Sequence, residues 1–218
     1  MKPTFLDKQV ESKSRLNLLF SVPVITVAES YNLNDEEKDF LTNHEELLHT
    51  TGGTSYTKDC YILDHKTQYS FKKYIMKHVR DFAYNILKMN QNIEIYMTNS
   101  WVNYNDQYTT HVRHNHSNSL ISGVFYISTE EDDKIILEHP NRKLLEMTSF
   151  EFKSLNLWNS CTVTAPCETN TLLLFPSWLN HTVAPNEKAT KDRISISFNT
   201  FVRGTLGDNI SLSELILK

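Results

Sequence analysis

The stretch Arg193-Ile194-Ser195-Ile196-Ser197-Phe198-Asn199 alternates polar and apolar residues without a break. Successive side chains of a β-strand point to opposite faces, so the pattern describes a strand with one apolar and one polar face. Ile194, Ile196 and Phe198 form the first face; Arg193, Ser195, Ser197 and Asn199 form the second. In isolation the simplest reading is a half-exposed strand with its polar face in water. An arginine beside a metal site has a different use. Its planar fork pairs bidentately with a carboxylate and stays charged at any working pH. Ser195, two residues on, could donate to the same carboxylate.

Upstream of this strand, His181 follows Leu172-Leu173-Leu174-Phe175-Pro176-Ser177-Trp178, which reads as a buried strand ending at proline. Further upstream, His114-Asn115-His116 lies in the loop-like stretch 107–119, with His111 just ahead of it. Two histidines at i and i+2 share a face if the segment is extended. A metal site needs neutral imidazoles converging from rigid supports, and a third ligand from another strand completes a facial set. A bare H-x-H is also what an ordinary surface loop carries, and His181 alone reads equally well as a loop histidine. The conjunction with Arg193 raises both above that background.

The rest of the chain supplies the frame. Residues 1–15 read as a polar leader, and 16–27 as an edge or broken strand, because Pro23 cannot donate to a ladder. Asn34 or Asp35 is expected to cap a helix over 35–48, with Phe40, Leu41, Leu47 and Leu48 as its apolar stripe. Spacings of three and four predict an amphipathic helix over 69–89. From Ile93 the period changes to two, and strands are expected over 93–104, 120–128, 134–138, 161–166, 171–175 and 193–202. The acidic turn Glu130-Glu131-Asp132-Asp133 is a hairpin candidate. Helices followed by many short strands indicate a sandwich or barrel rather than βαβ units.

Composition narrows the class of function. With 39% hydrophobic and 22% charged residues, the 218-residue chain has ordinary globular usage and enough length for a real core. A net charge of −4 gives no basic footprint, so nucleic acid is not expected as a partner. No apolar run approaches a membrane span, and no signal-peptide pattern opens the chain. Cys60, Cys161 and Cys167 are odd in number and contain no C-x-x-C pair, which fits a reducing cytosol. The expectation is a cytoplasmic protein of one domain, 1–218. Residues 1–92 would pack as a strand and helices on a β core of 93–204, with 205–218 as a tail.

Four ordered motifs then carry a resemblance: H-x-H at 114–116, S-x-x-SGVFYIS at 119–128, FPSWLNHTVAPN at 175–186 and RISISFN at 193–199. Over residues 101–201 the chain resembles the iron(II)/2-oxoglutarate-dependent dioxygenases. More narrowly, it is similar to a subgroup of 2OG-Fe(II) oxygenases in bacteria and phages that carries H-x-H, so a phage-encoded protein acting in a bacterial host falls within it. The resemblance implies a mainly β chain with flanking helices around a double-stranded β-helix, the cupin-like jelly-roll. It implies Fe(II) on His114 and His181, and 2-oxoglutarate with its distal carboxylate on Arg193 and Ser195. Tyr126 and Asn103 would line the same cavity. Succinate and CO₂ would be released as an unidentified substrate is oxidised by O₂.

His116 stands where the wider family has a carboxylate. Three arrangements follow. All three histidines ligate, which is our expectation; or His114 and His181 bind with water in the third position; or Glu138 completes the set. Two other functions share parts of the pattern. A cupin-like three-histidine dioxygenase without 2-oxoglutarate has no need of Arg193 and Ser195. A non-catalytic jelly-roll binding or structural module makes the histidines incidental. Neither the substrate nor the oligomeric state is written in the sequence.

Overall fold

In the computed structural model, the described residues are 21–218 except 30, 51, 148 and 149. The leader and the first part of the 16–27 strand lie outside them. The remaining part is β1 (Ile25–Val27), which pairs with β9 (Leu172–Pro176) and among the described residues forms a sheet edge, the position a nearby proline allows.

Asn34 caps helix α1 (Asp35–Thr42) through a reciprocal capping box. Its Oδ1 accepts the Glu37 N–H at 2.9 Å, and the Glu37 carboxylate accepts the Asn34 N–H at 3.0 Å. The helix is shorter than the expected 35–48. Asn43 ends it, and Leu47 and Leu48 lie instead in β2 (Leu47–His49), which pairs with β3 (Ser55–Thr57). Periodicity over so short a window did not separate the two states. Helix α2 (Tyr69–Arg80) matches expectation and continues into a wider π-type turn over Asp81–Ile86, where the Leu87 N–H reaches the Phe82 carbonyl at 2.9 Å.

Then the β core begins. β4 (Glu94–Asn105), β6 (Ile121–Ser128), β9 and β11 (Arg193–Leu206) form the centre of a large antiparallel sheet in the order β9-β6-β11-β4. The facing sheet has the order β5-β10-β7-β8, from β5 (His111–His114), β10 (His181–Val183), β7 (Lys134–Glu138) and β8 (Thr162–Pro166). Strands β4 to β11 thus divide four and four between two antiparallel sheets, the arrangement of a double-stranded β-helix. β12 (Leu215–Leu217) pairs with the end of β11, so the expected tail contributes a strand. A short helix α3 (Arg142–Glu146) lies in the β7–β8 connection.

Alternation now acquires a location. Phe125, Ile127, Ile196, Phe198, Leu172 and Leu174 bury against Phe71, Ile75, Val79 and Phe82 of the helical layer. The intervening Val124, Tyr126, Leu173 and Phe175 turn the other way and pack with Ile135, Leu137 and Cys167 between the sheets. Burying two apolar layers on one sheet supplies the main driving force, about 1.5–3 kcal/mol for each large side chain removed from water. The polar face of β11 is therefore not in water. Arg193, Ser195 and Asn199 are buried, and the face looks into the space between the sheets.

One further expectation is corrected. Glu130-Glu131-Asp132-Asp133 does not close a hairpin, since β6 and β7 belong to different sheets. The turn instead docks on residues 186–193: Glu130 accepts from Thr190, Asp132 from Lys188, and Asp133 from Asn186 and Arg193. The buried strand before His181 ends at Pro176 as expected, and Trp178 in the turn beyond it is 54% exposed.

Candidate metal centre

Three imidazoles converge at the mouth of the inter-sheet cavity. β5 and β10 are antiparallel neighbours, with His114 directly opposite His181. Their ring centroids lie 4.2 Å apart. His116 comes two residues after β5 ends, and its backbone N–H bonds the Ser177 carbonyl at 3.0 Å. Asn115 donates to the Asn180 side chain at 3.1 Å, which ties the two histidine-bearing segments together. His116 thereby sits 5.2 Å from each of the other two rings. One ligand atom from each histidine lies within 4.8 Å of the others. Two nitrogens on a shared first-row metal are separated by at most about 4.2 Å, twice a 2.1 Å bond, so modest ring rotations close the set.

The donor chemistry fits a metal. Nδ1 of His114 contacts the Val112 carbonyl at 2.7 Å, and Nδ1 of His181 contacts the Leu179 carbonyl at 2.9 Å. A carbonyl only accepts, so both Nδ1 atoms carry the proton and both Nε2 atoms keep a lone pair. Burial first, and the neighbouring imidazoles second, push His181 down to about 3 and His116 down to about 4. His116 and His181 are thereby held neutral, as ligands must be.

No carboxylate joins the cluster among the described residues. Glu138 is buried, but one oxygen accepts from Arg113 Nε at 2.5 Å and the other from Arg142 Nη1 at 3.0 Å. It follows Leu137, the partner of His181 in the ladder, so the pleat carries it to the opposite side. Both of its oxygens are committed to arginine.

Behind the histidines the cavity is walled by Trp101, Asn103, Tyr126, Cys167, Arg193 and Ser195, among others. All four residues expected at the co-substrate thus line the space the histidines enter. Their free valences differ. Asn103 donates to Ser197 at 2.9 Å and accepts from Trp101 Nε1 at 3.0 Å, so its amide is largely spoken for. Tyr126 is fully buried with its hydroxyl against the Cys167 thiol, and burial drives its pKa well above the ordinary value. Arg193 Nη1 contacts Asp133 Oδ1 at 3.2 Å, an ion pair absent from the sequence reading. His111 was passed over as well. It lines the same cavity, and burial lowers its pKa to about 4. Strict alternation would put His111 and His114 on opposite faces, and the bulge between their pairings with β10 brings both to the cavity, which the sequence does not reveal.

An inter-sheet cavity with three imidazoles at its mouth and an arginine inside defines a jelly-roll with a candidate mononuclear metal site and room for a carboxylate ligand. Comparison with known proteins agrees. Residues 99–199 match the family described as "Putative 2OG-Fe(II) oxygenase". That segment carries the histidines and Arg193, and its match supports the reading of an iron(II)- and 2-oxoglutarate-dependent oxygenase.

The fold is shared with solved members of that class at low identity. A Pseudomonas putida prolyl-4-hydroxylase superimposes with a TM-score of 0.54 at 13% identity, over 84% of this chain and 94% of that one. A 2OG-Fe(II) oxygenase family oxidoreductase from Burkholderia pseudomallei gives 0.53 at 10% identity, covering 81% and 83%. HygX from Streptomyces hygroscopicus, solved with nickel, 2-oxoglutarate and hygromycin B, gives 0.54 at 12% identity, covering 82% of each. No curated protein sequence matches the chain. No helix among the described residues is long and apolar enough to cross a membrane.

Proposed function

We propose that His114, His116 and His181 together hold Fe(II), and that Arg193 with Ser195 receives the distal carboxylate of 2-oxoglutarate. The observation that carries this reading is that one cavity is lined by all five residues, with no carboxylate joining the three histidines among the described residues. When bound, iron and 2-oxoglutarate supply O₂ activation and oxidation of a substrate C–H bond, with succinate and CO₂ as co-products. The protein's own part is to converge three lone pairs, orient the dicarboxylate along the cavity axis and exclude water. Leu173, Phe175 and Val124 supply the dry wall for the last task.

The substrate side is proposed to be the β7–β8 connection, residues 139–161, which leaves β7 next to the strand partner of His181. Its exposed Phe150, Leu155 and Trp158 give it an apolar surface. The chemistry of the substrate is not specified by these residues.

The test is conversion of 2-oxoglutarate to succinate by purified protein with and without Fe(II). Iron-dependent succinate release, lost in Arg193→Ala, supports the proposal. Turnover that is indifferent to iron or to Arg193 would sink it. One observation favours a second reading, a three-histidine dioxygenase without 2-oxoglutarate: Arg193 already has an acidic partner in Asp133. Specific binding of the inert analogue N-oxalylglycine to Mn(II)-loaded protein separates the two.

A further inference from the structure

We infer that Asp133 is the resident counter-ion of the co-substrate pocket, and that it makes the pocket select chelating dicarboxylates over simple anions. The inference rests on the reading of Arg193 given above. Arg193 is on the cavity wall, whereas Asp133 stands behind that wall. The side chains of both are almost completely buried, at 6% and 4% exposure.

Asp133 is fixed from several directions. Oδ2 accepts the Glu130 N–H at 2.9 Å, and Oδ1 accepts from Asn186 Nδ2 at 3.3 Å. Its backbone carbonyl accepts the Cys167 N–H at 2.9 Å. An acid held this way cannot swing aside, so it anchors the guanidinium through one Nη. A guanidinium has five N–H donors in a fixed fork, and the contact with Asp133 occupies one edge. The donors that remain can face the cavity, where Ser195 stands.

Charge then gives the pair a purpose. Imidazole ligands bring no negative charge to a divalent metal. Glu138, the buried acid that follows the ladder partner of His181, is neutralised by Arg113 and Arg142. Arg193 and Asp133 cancel each other. The two positive charges left on the metal match the two negative charges of 2-oxoglutarate. Without Asp133 the cavity would hold a bare buried guanidinium, and burying an unpaired charge is costly. Any small anion could then satisfy it. With Asp133 in place that need is already met, so an anion gains little unless it also chelates the metal. Asp133 acts through Arg193 and is a positioning residue, not a catalytic one.

The test uses full-length Mn(II)-loaded protein and calorimetric titration with N-oxalylglycine, with and without sulfate. Removing one like charge beside the ligand in Asp133→Asn should tighten the analogue by about tenfold, the equivalent of roughly 1.4 kcal/mol. Sulfate should compete in that variant and not in the parent protein. Unchanged or weaker binding, with sulfate still inert, would reduce Asp133 to a brace for Arg193 and overturn the inference.

If Asp133→Asn does not fold, the parent protein decides. The inference expects sulfate to give no more thermal stabilisation than chloride at equal ionic strength. Stoichiometric displacement of the analogue by sulfate would refute it. Arg193→Ala is the separate control. Undiminished analogue binding there would remove the co-substrate role of Arg193 itself, whatever Asp133 does.

Discussion

At the scale of single residues, the site depends on which histidine nitrogen carries the proton. Main-chain carbonyls of Val112 and Leu179 fix His114 and His181 with Nε2 free, and the neighbouring strand holds both rings in place. His116 lacks such a carbonyl contact and is held by its backbone and by the Asn115–Asn180 bond. Removing any one ligand should therefore act on metal content rather than on folding. His181→Ala and His116→Ala are each expected to lose at least about tenfold in Mn(II) affinity, measured by calorimetry, a range that even outer-shell partners of metal ligands can reach. Full retention of affinity in His116→Ala would leave a two-histidine site with water as the third ligand. A second prediction concerns the cysteines. Cys167 is buried with its thiol pushed up to about 11 by that burial, while Cys60 and Cys161 are half-buried. The thiolate is the reactive form, so a raised pKa slows alkylation at pH 8. Iodoacetamide should label Cys60 and Cys161 in native protein, and Cys167 only after denaturant, as read by mass spectrometry. Rapid native labelling of Cys167 would mean that the cavity wall opens.

At the scale of elements, the central strands carry function on one face and packing on the other, and close approach decides where a side chain is forbidden. Gly123 in β6 is such a place. A Cβ there would meet Phe198 Cζ at 2.3 Å and Leu174 Cδ2 at 2.7 Å. Gly123→Ala should cost about 1–3 kcal/mol in denaturant unfolding. An unchanged midpoint would show that Phe198 yields more easily than its burial suggests. Strand alternation was readable because it is a property of adjacent residues. Ile194, Ile196 and Phe198 could be assigned a common face from the sequence, and so could Arg193 and Ser195. What that polar face looks at was not readable, since it depends on a second sheet brought over it by distant connections. The same limit hid β5. A four-residue strand of His111, Val112, Arg113 and His114 has no hydrophobic rhythm, and its pairing with β10 alone makes it extended. The role of Asp133 was hidden for the same reason. Four consecutive acids look solvated until residues 186–193 fold over them.

At the scale of the whole molecule, the helical layer and the metal-bearing sheet lie on opposite faces of the large sheet. Phe71, Ile75 and Phe82 press on the side of β6 and β11 that faces away from the cavity, so the cavity wall is supported from behind by a packed core. A ligand that binds the folded cavity and not the unfolded chain stabilises the entire unit, by about 2.7 kcal/mol at a hundred times its Kd. Mn(II) with N-oxalylglycine should therefore raise the unfolding temperature by several degrees, and by more than Mn(II) alone. The most direct test of the central claim is an anaerobic titration of purified protein with Fe(II) and 2-oxoglutarate, followed by visible absorption. The account predicts a charge-transfer band that needs both components, saturates at one equivalent of iron per chain and disappears in His181→Ala. Absence of the band in folded, iron-loaded parent protein would contradict it.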